Sequence, residues 1–228
     1  MRASRTEISP AMRELNAYIA SAIKKPLPPQ IVERAKVHLV DTYAAMISGS
    51  RLVPGKRAVA YVRAQGGKPE AGVIGTRIVT SIPNAVLANA MLAHADETDD
   101  THPPSRTHPG SGVVPAALAI GERDRLSGTA VLRAIVLGYD ICARTLLAIN
   151  EMHFRHTGHH PSTFGRGFGA AAAKGSSEDP LTRQEEEEKA LDLIAPVLGK
   201  RRAQALMAAL WDFDRIKDVR SLRGFSSA

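Results

Sequence analysis

Apolar positions in this chain recur at three- and four-residue intervals far more often than they alternate, so the pattern predicts helices along most of the sequence. Ser9-Pro10 offers an N-cap with proline in the first turn, and Leu15, Tyr18, Ile19 and Ile23 then share one face up to the Lys24-Lys25-Pro26 stop. After Pro28-Pro29, the residues Ile31, Ala35, Leu39, Thr42 and Met46 predict a second helix ending at Gly49, with Asp41 inside its apolar run. A short helix over Ala58–Ala64 follows, then extended pieces at 73–76 and 78–80 that make at most one hairpin. Helical periodicity returns over Asn84–Ala95, over Val113–Glu122 with Pro115 in its first turn, and from Ser127-Gly128 to about Asn150. Phe164–Lys174 reads as a glycine-rich entry to a helix that stops after one alanine-rich turn. Thr182 and Glu185 form a capping-box pair ahead of Leu191, Ile194 and Leu198. The expected fold is all-α with at most one short β-hairpin.

Composition narrows the class. The 228 residues are 44% hydrophobic, enough for a core, and one cysteine, Cys142, excludes an intramolecular disulfide. No apolar stretch follows the N-terminal arginines, and Ala130–Ile149 is interrupted by Arg133, Asp140 and Arg144, so neither a secretion signal nor a membrane span is predicted and a cytoplasmic protein is expected. The formal charge is +7, but residues 174–228 carry 10 basic and 10 acidic groups, so the surplus belongs to the first 173. Those basic residues stand singly or in pairs, and aromatics are only 4% of the chain, which argues against a nucleic-acid surface and for a field that attracts small anions.

Candidate chemistry gathers in two loops. His94–Gly110 reads H-A-D-E-T-D-D-T-H-P-P-S-R-T-H-P-G, with Asp96, Glu97, Asp99, Asp100, His94, His102, His108 and Arg106. Prolines fix the backbone around three histidines, which suggests a shaped site rather than a solvated loop. His94, Asp96, Asp99, Asp100 and His108 would make a hard-metal shell, although the spacing matches no compact zinc pattern. Metal-free acid/base work would equally use a histidine held by a carboxylate with a cation to receive an anionic substrate. Spacing alone leaves both open. The second loop, His153–Gly165, holds four histidines and Arg155; His159-His160-Pro161 with Ser162-Thr163 precedes a glycine-rich helix start whose backbone N–H groups could hold a carboxylate. The G-R-G-F-G run is a weak phosphate-loop signal without a preceding strand.

Four segments together resemble the MmgE/PrpD family: Leu39–Gly49 (L-V-D-T-Y-A-A-M-I-S-G), Asn89–Ala119 with the first loop, Gly128–Arg144 with G-Y-D-I-C-A-R, and Gly158–Ala173. They cover most of residues 30–173. The resemblance implies a homodimeric protein with a helical domain and a site needing no metal and no other cofactor. That site would act on small di- or tricarboxylates by proton transfer alpha to a carboxylate, with loss of water or carbon dioxide. The family's first-loop aspartate, threonine and histidine fall on Asp100, Thr101 and His108, with Asp96, Glu97, Asp99, His102 and Arg106 beside them. Its second-loop histidine falls on His160, next to Ser162 and Thr163. Full members insert a smaller α+β domain after the glycine segment and then return to the helical domain. Here Asp179–Ser221 already resembles that return, so residues 1–174 and 175–228 are expected to be two ends of one helical domain joined across an internal deletion near 174–177. The family's catalytic lysine and tyrosine would be lost with the deleted part. Against this stand two other readings: a non-catalytic remnant that still dimerises, and a metal-dependent hydrolase using the first loop.

Overall fold

The computed structural model describes residues 9–149, 158, 161–172 and 182–227, and of residues 161–164 and 171–172 only the helical backbone. The described residues form an all-α fold with one two-stranded hairpin. In order they run α1 (Pro10–Ala22), α2 (Pro29–Gly49), α3 (Val53–Gln65), β1 (Ala71–Gly72), β2 (Val79–Thr80), α4 (Ile82–Ala93), α5 (Gly110–Asp124), α6 (Gly128–Ile149), α7 (Pro161–Ala172), α8 (Arg183–Leu198), α9 (Lys200–Trp211) and a terminal turn α10 (Arg223–Ser226).

Helix α2 is the axle. Its second half is apolar on every side, and a helix of that kind must be covered all round; Leu39, Tyr43, Met46 and Ile47 are fully buried between α4, α5, α6 and α8. Each such side chain contributes about 1.5–3 kcal/mol of burial. The few polar residues on this stretch, His38, Asp41 and Thr42, are therefore carried into the interior with it. Ser9 caps α1 by accepting from the Met12 N–H at 3.3 Å, and Thr182 and Glu185 form the reciprocal capping box of α8.

Several boundaries differ from the pattern. Helix α3 begins at Val53 and α4 at Ile82, because Pro54 and Pro83 sit in first turns, where a missing N–H costs nothing. The hairpin pairs Ala71 with Thr80 and Gly72 with Val79, Val73 extends it by donating its N–H to the Ile78 carbonyl at 2.9 Å, and the Val73 and Ile74 side chains fill the core. Helix α5 starts at Gly110 rather than Val113, so Pro115 lies inside it. The glycine segment departs most. It is not an entry to a helix: Gly165, Gly167 and Gly169 all lie within α7. A Cβ on Gly169 would stand 2.6 Å from Cys142 Cβ and the Gly138 carbonyl, and one on Gly165 would stand 2.4 Å from Leu146. Glycines four apart thus clear a face on which α7 lies against α6, a packing role in place of an anion-binding one.

No helix among the described residues is long and apolar enough to cross a membrane. The expected junction at 174–177 lies outside the described residues.

Candidate active site

The first loop is held by its own backbone. His102 donates its N–H to the Thr107 carbonyl at 2.8 Å, a one-turn 3-10 segment at Pro103–Ser105 lies between them, and Arg106 takes a left-handed conformation (φ 45°) to close the turn. His102 is buried, its Nδ1 2.6 Å from Ser105 Oγ, so its ring belongs to the frame of the loop. Arg106 is exposed at the tip. Asp96 accepts hydrogen bonds from Ser48 at 2.6 Å and Thr98 at 2.8 Å, tying the loop to the end of α2, while Glu97 is exposed with φ 53°.

Two adjacent aspartates then point in opposite directions. The Asp99 carboxylate, fully buried, lies 2.9 Å from His94 Nδ1 and 3.8 Å from His108 Nδ1. The two imidazole rings face each other at 5.3 Å, each about one-third exposed. His108 Nδ1 also lies 3.4 Å from both Thr101 Oγ1 and the Asp99 carbonyl. The Asp99 carboxylate can only accept from His94 Nδ1, and the Asp99 carbonyl can only accept from His108 Nδ1; both contacts favour the tautomer with the proton on Nδ1, which leaves Nε2 as the position for a base.

Asp100 turns the other way. It accepts the Gly110 N–H at 2.9 Å, at the first residue of α5, and lies 3.1 Å from His38 Nδ1 on α2. Burial alone would push its carboxyl up; the contacts with His38, Tyr139 and the Gly110 N–H outweigh that and hold it below the ordinary value. Tyr139, buried on α6 and stacked near His38 at 4.8 Å, is pushed well above the ordinary phenol value by burial and by the charge of Asp100. Behind them Asp41 is paired with Lys189 of α8, whose ammonium also donates to the Thr98 carbonyl at 3.0 Å and stands 3.9 Å from Glu186. A buried thread of His38, Asp41, Asp100, Tyr139, Glu186 and Lys189 thus locks α2, α6 and α8 to the base of the loop.

Helix α7 brings Arg166 to the same region. Its guanidinium donates to Ser111 Oγ at 2.9 Å, and Ser111 donates to the His108 carbonyl at 3.2 Å. Of the residues expected from the second loop, His160 lies outside the described residues, and Ser162 and Thr163 are placed in the first turn of α7 by backbone alone.

The structure therefore brings together His94, Asp99, Thr101 and His108, seats Asp100 beneath them, and puts Asp96 and His102 into the scaffold. His38, Lys189, Glu186, Tyr139 and Arg166 went unassigned in the sequence pattern. An ionisable residue within an otherwise apolar helix was the available signal for His38 as it was for Asp41.

The thread makes stability depend on pH. Burial, reinforced by the charge of Asp100 and opposed by Lys189, pushes the Asp41 carboxyl up to about 7, and burial also raises Glu186. An unfolded Asp titrates near 3.9, so between about pH 4 and 7 the folded chain binds more protons. The stability contributed by protonated Asp41 is full below about pH 4 and is lost as the pH rises through about 7. Asp100, shifted downward, acts in the opposite sense and only in the acid range. At about 1.4 kcal/mol per unit the loss amounts to no more than about 4 kcal/mol, so Tm should fall by several degrees between pH 5 and pH 8. Asp41→Asn should remove most of that slope. Thermal unfolding at four pH values checks this, and a wild-type Tm that is level or rising over the interval refutes it.

The family description "MmgE/PrpD N-terminal domain" matches residues 13–188, which contain the whole first loop and α2 and end one residue before Lys189. No curated protein matches the chain.

Proposed function

The chain belongs to the MmgE/PrpD family, and on that premise we propose that its site moves a proton on the carbon alpha to a carboxylate of a small di- or tricarboxylate, in the manner of a 2-methylcitrate dehydratase-like lyase. The observation that carries this reading is the pair of imidazoles set around one buried carboxylate. His108 serves as the base through Nε2, with Asp99 and Thr101 fixing its ring, and His94 is the second proton carrier on the same carboxylate. Asp100 acts through position: it anchors the first N–H of α5, the helix that begins two residues after His108. Lys189 and Arg166 bring positive charge to the two ends of the loop, where an anionic substrate is attracted. By resemblance His160 is assigned a catalytic role, and Ser162, Thr163, Asp96, Glu97, His102 and Arg106 are assigned to substrate binding. The functional form is read as a cytoplasmic homodimer, a reading supported by the family and by exposed Ile120, Leu147 and Phe168 on α5, α6 and α7.

Residues 1–174 and 175–228 are read as two ends of one helical domain. Helices α8 and α9 pack on α2 and supply Lys189, which supports that reading. A chain so shortened lacks the other wall of the cleft and the groups it carries, so orientation and water exclusion suffer more than proton transfer does. With 2-methylcitrate or cis-aconitate, product followed by mass spectrometry should form at below about 0.01 s⁻¹, against the roughly 1–10³ s⁻¹ of ordinary enzymes. Turnover in that ordinary range would refute the shortened-site reading.

A further inference from the structure

We propose that His94, Asp99 and His108 form a binding site for one divalent transition-metal ion of the zinc class, and that the bound ion inhibits rather than assists the site. One donor atom from each of the three residues lies within 4.8 Å of the other two. Asp99 Oδ1 is 2.9 Å from His94 Nδ1 and 3.8 Å from His108 Nδ1. Metal–ligand bonds of about 2.0–2.2 Å place neighbouring donors about 3.0–3.5 Å apart, so little movement is needed to enclose an ion. Two imidazoles and one carboxylate suit a borderline ion such as Zn²⁺ or Co²⁺ better than Mg²⁺ or Ca²⁺, which favour all-oxygen shells. The carboxylate is fully buried while both imidazoles are one-third exposed, which leaves the remaining coordination positions open to water. Thr101 and the loop turn at Pro103–Arg106 fix the second histidine before any ion arrives.

The inhibitory consequence follows from the tautomers and rests on the proposed proton-transfer function. The Asp99 carboxylate at His94 and the Asp99 carbonyl at His108 favour the tautomers with the proton on Nδ1 and the lone pair on Nε2. A metal at the Nδ1 atoms requires each neutral ring to hold its single proton on Nε2 instead of Nδ1, a change of tautomer exchanged through solvent with no net proton released, and Nε2 is where a base is required to be bare. Metal occupancy and proton abstraction therefore use the same rings in opposite states.

Chelator-washed full-length protein titrated with Co²⁺ should develop a visible ligand-field band that saturates at one equivalent and is displaced by Zn²⁺. His94→Gln and His108→Gln should each weaken binding at least tenfold, and His153→Gln/His156→Gln should leave it unchanged. Should the loop variants fold poorly by circular dichroism, Zn²⁺ should still protect His94 and His108 of the unaltered chain from diethylpyrocarbonate, read by peptide mass mapping. No saturable band at micromolar Co²⁺, a band surviving in His94→Gln/His108→Gln, or modification of both histidines undiminished by Zn²⁺ overturns the site. Inhibition is read separately: binding without loss of proton exchange overturns only the inhibitory half, and absence of any exchange bears on the proposed function and not on the metal.

Discussion

Gly110→Ala should lower the stability of the chain by about 3 kcal/mol and disable the site at once. A Cβ at this position would stand 2.3 Å from Thr42 Oγ1, 2.6 Å from Asp100 Oδ1 and 2.9 Å from the Tyr139 hydroxyl, all in the buried junction of α2, α6 and the loop. None of the three neighbours is the free end of a flexible side chain. Thr42 is bonded to the His38 carbonyl at 2.9 Å, and Asp100 holds both His38 and the Gly110 N–H. The methyl group therefore has to push the start of α5 outward, and His108, two residues before it, moves with the helix. For a chain of this size a Tm loss of roughly 6–12 °C is expected. Thermal unfolding measures it, and a change below about 1 °C would mean that the junction is looser than described.

Lys189→Met carries the second large effect, about 2–4 kcal/mol. Breaking a buried pair typically costs about 3–5 kcal/mol because the surviving charge is stranded, and the lower figure here reflects a lysine still one-third exposed. Asp41 and Glu186 would be left facing each other and Asp100 with no lysine among them, and the Thr98 carbonyl would lose its donor. Adding Asp41→Asn to Lys189→Met should recover about half of the loss, since a neutral amide no longer needs the ammonium. Chemical unfolding of the two single variants and the double variant gives the coupling directly. Coupling under about 0.5 kcal/mol would show that the pair is solvated and that α8 is held by apolar packing alone.

How much of this was legible beforehand depended on how far apart the partners stand in the chain. The helical order of α1, α2 and α8 and the location of the chemistry could be read because each is a local pattern: three-to-four spacing, proline starts, a capping box, and a dense run of His and Asp. The division of labour between Asp99 and Asp100 could not. Neighbouring residues in a non-helical segment face opposite sides, and which side is the site depends on where α2 and α5 lie. Asp41 stood out as a charge in an apolar run, but its partner is 148 positions away, within a Glu-rich segment that looks like a solvated face. Glu186 is buried there because α8 lies on α2, a tertiary fact that composition opposes. Glycines in α7 were misleading for a related reason: glycine is weak in helices, yet a close approach to α6 overrides propensity when spacing places two of them on one face.

Solvent exchange at carbon separates proton transfer from the rest of the reaction. The chain is incubated with 2-methylcitrate in D₂O, and deuterium on the carbon alpha to a carboxylate is followed by mass spectrometry beside His94→Gln/His108→Gln and chain-free controls. Proton transfer by the imidazole pair predicts exchange at least tenfold faster with the unaltered chain than with the double variant, even where net elimination is slow. Equal exchange in the two proteins, or none above the chain-free control, means that His94, Asp99 and His108 do not form a proton-transfer site.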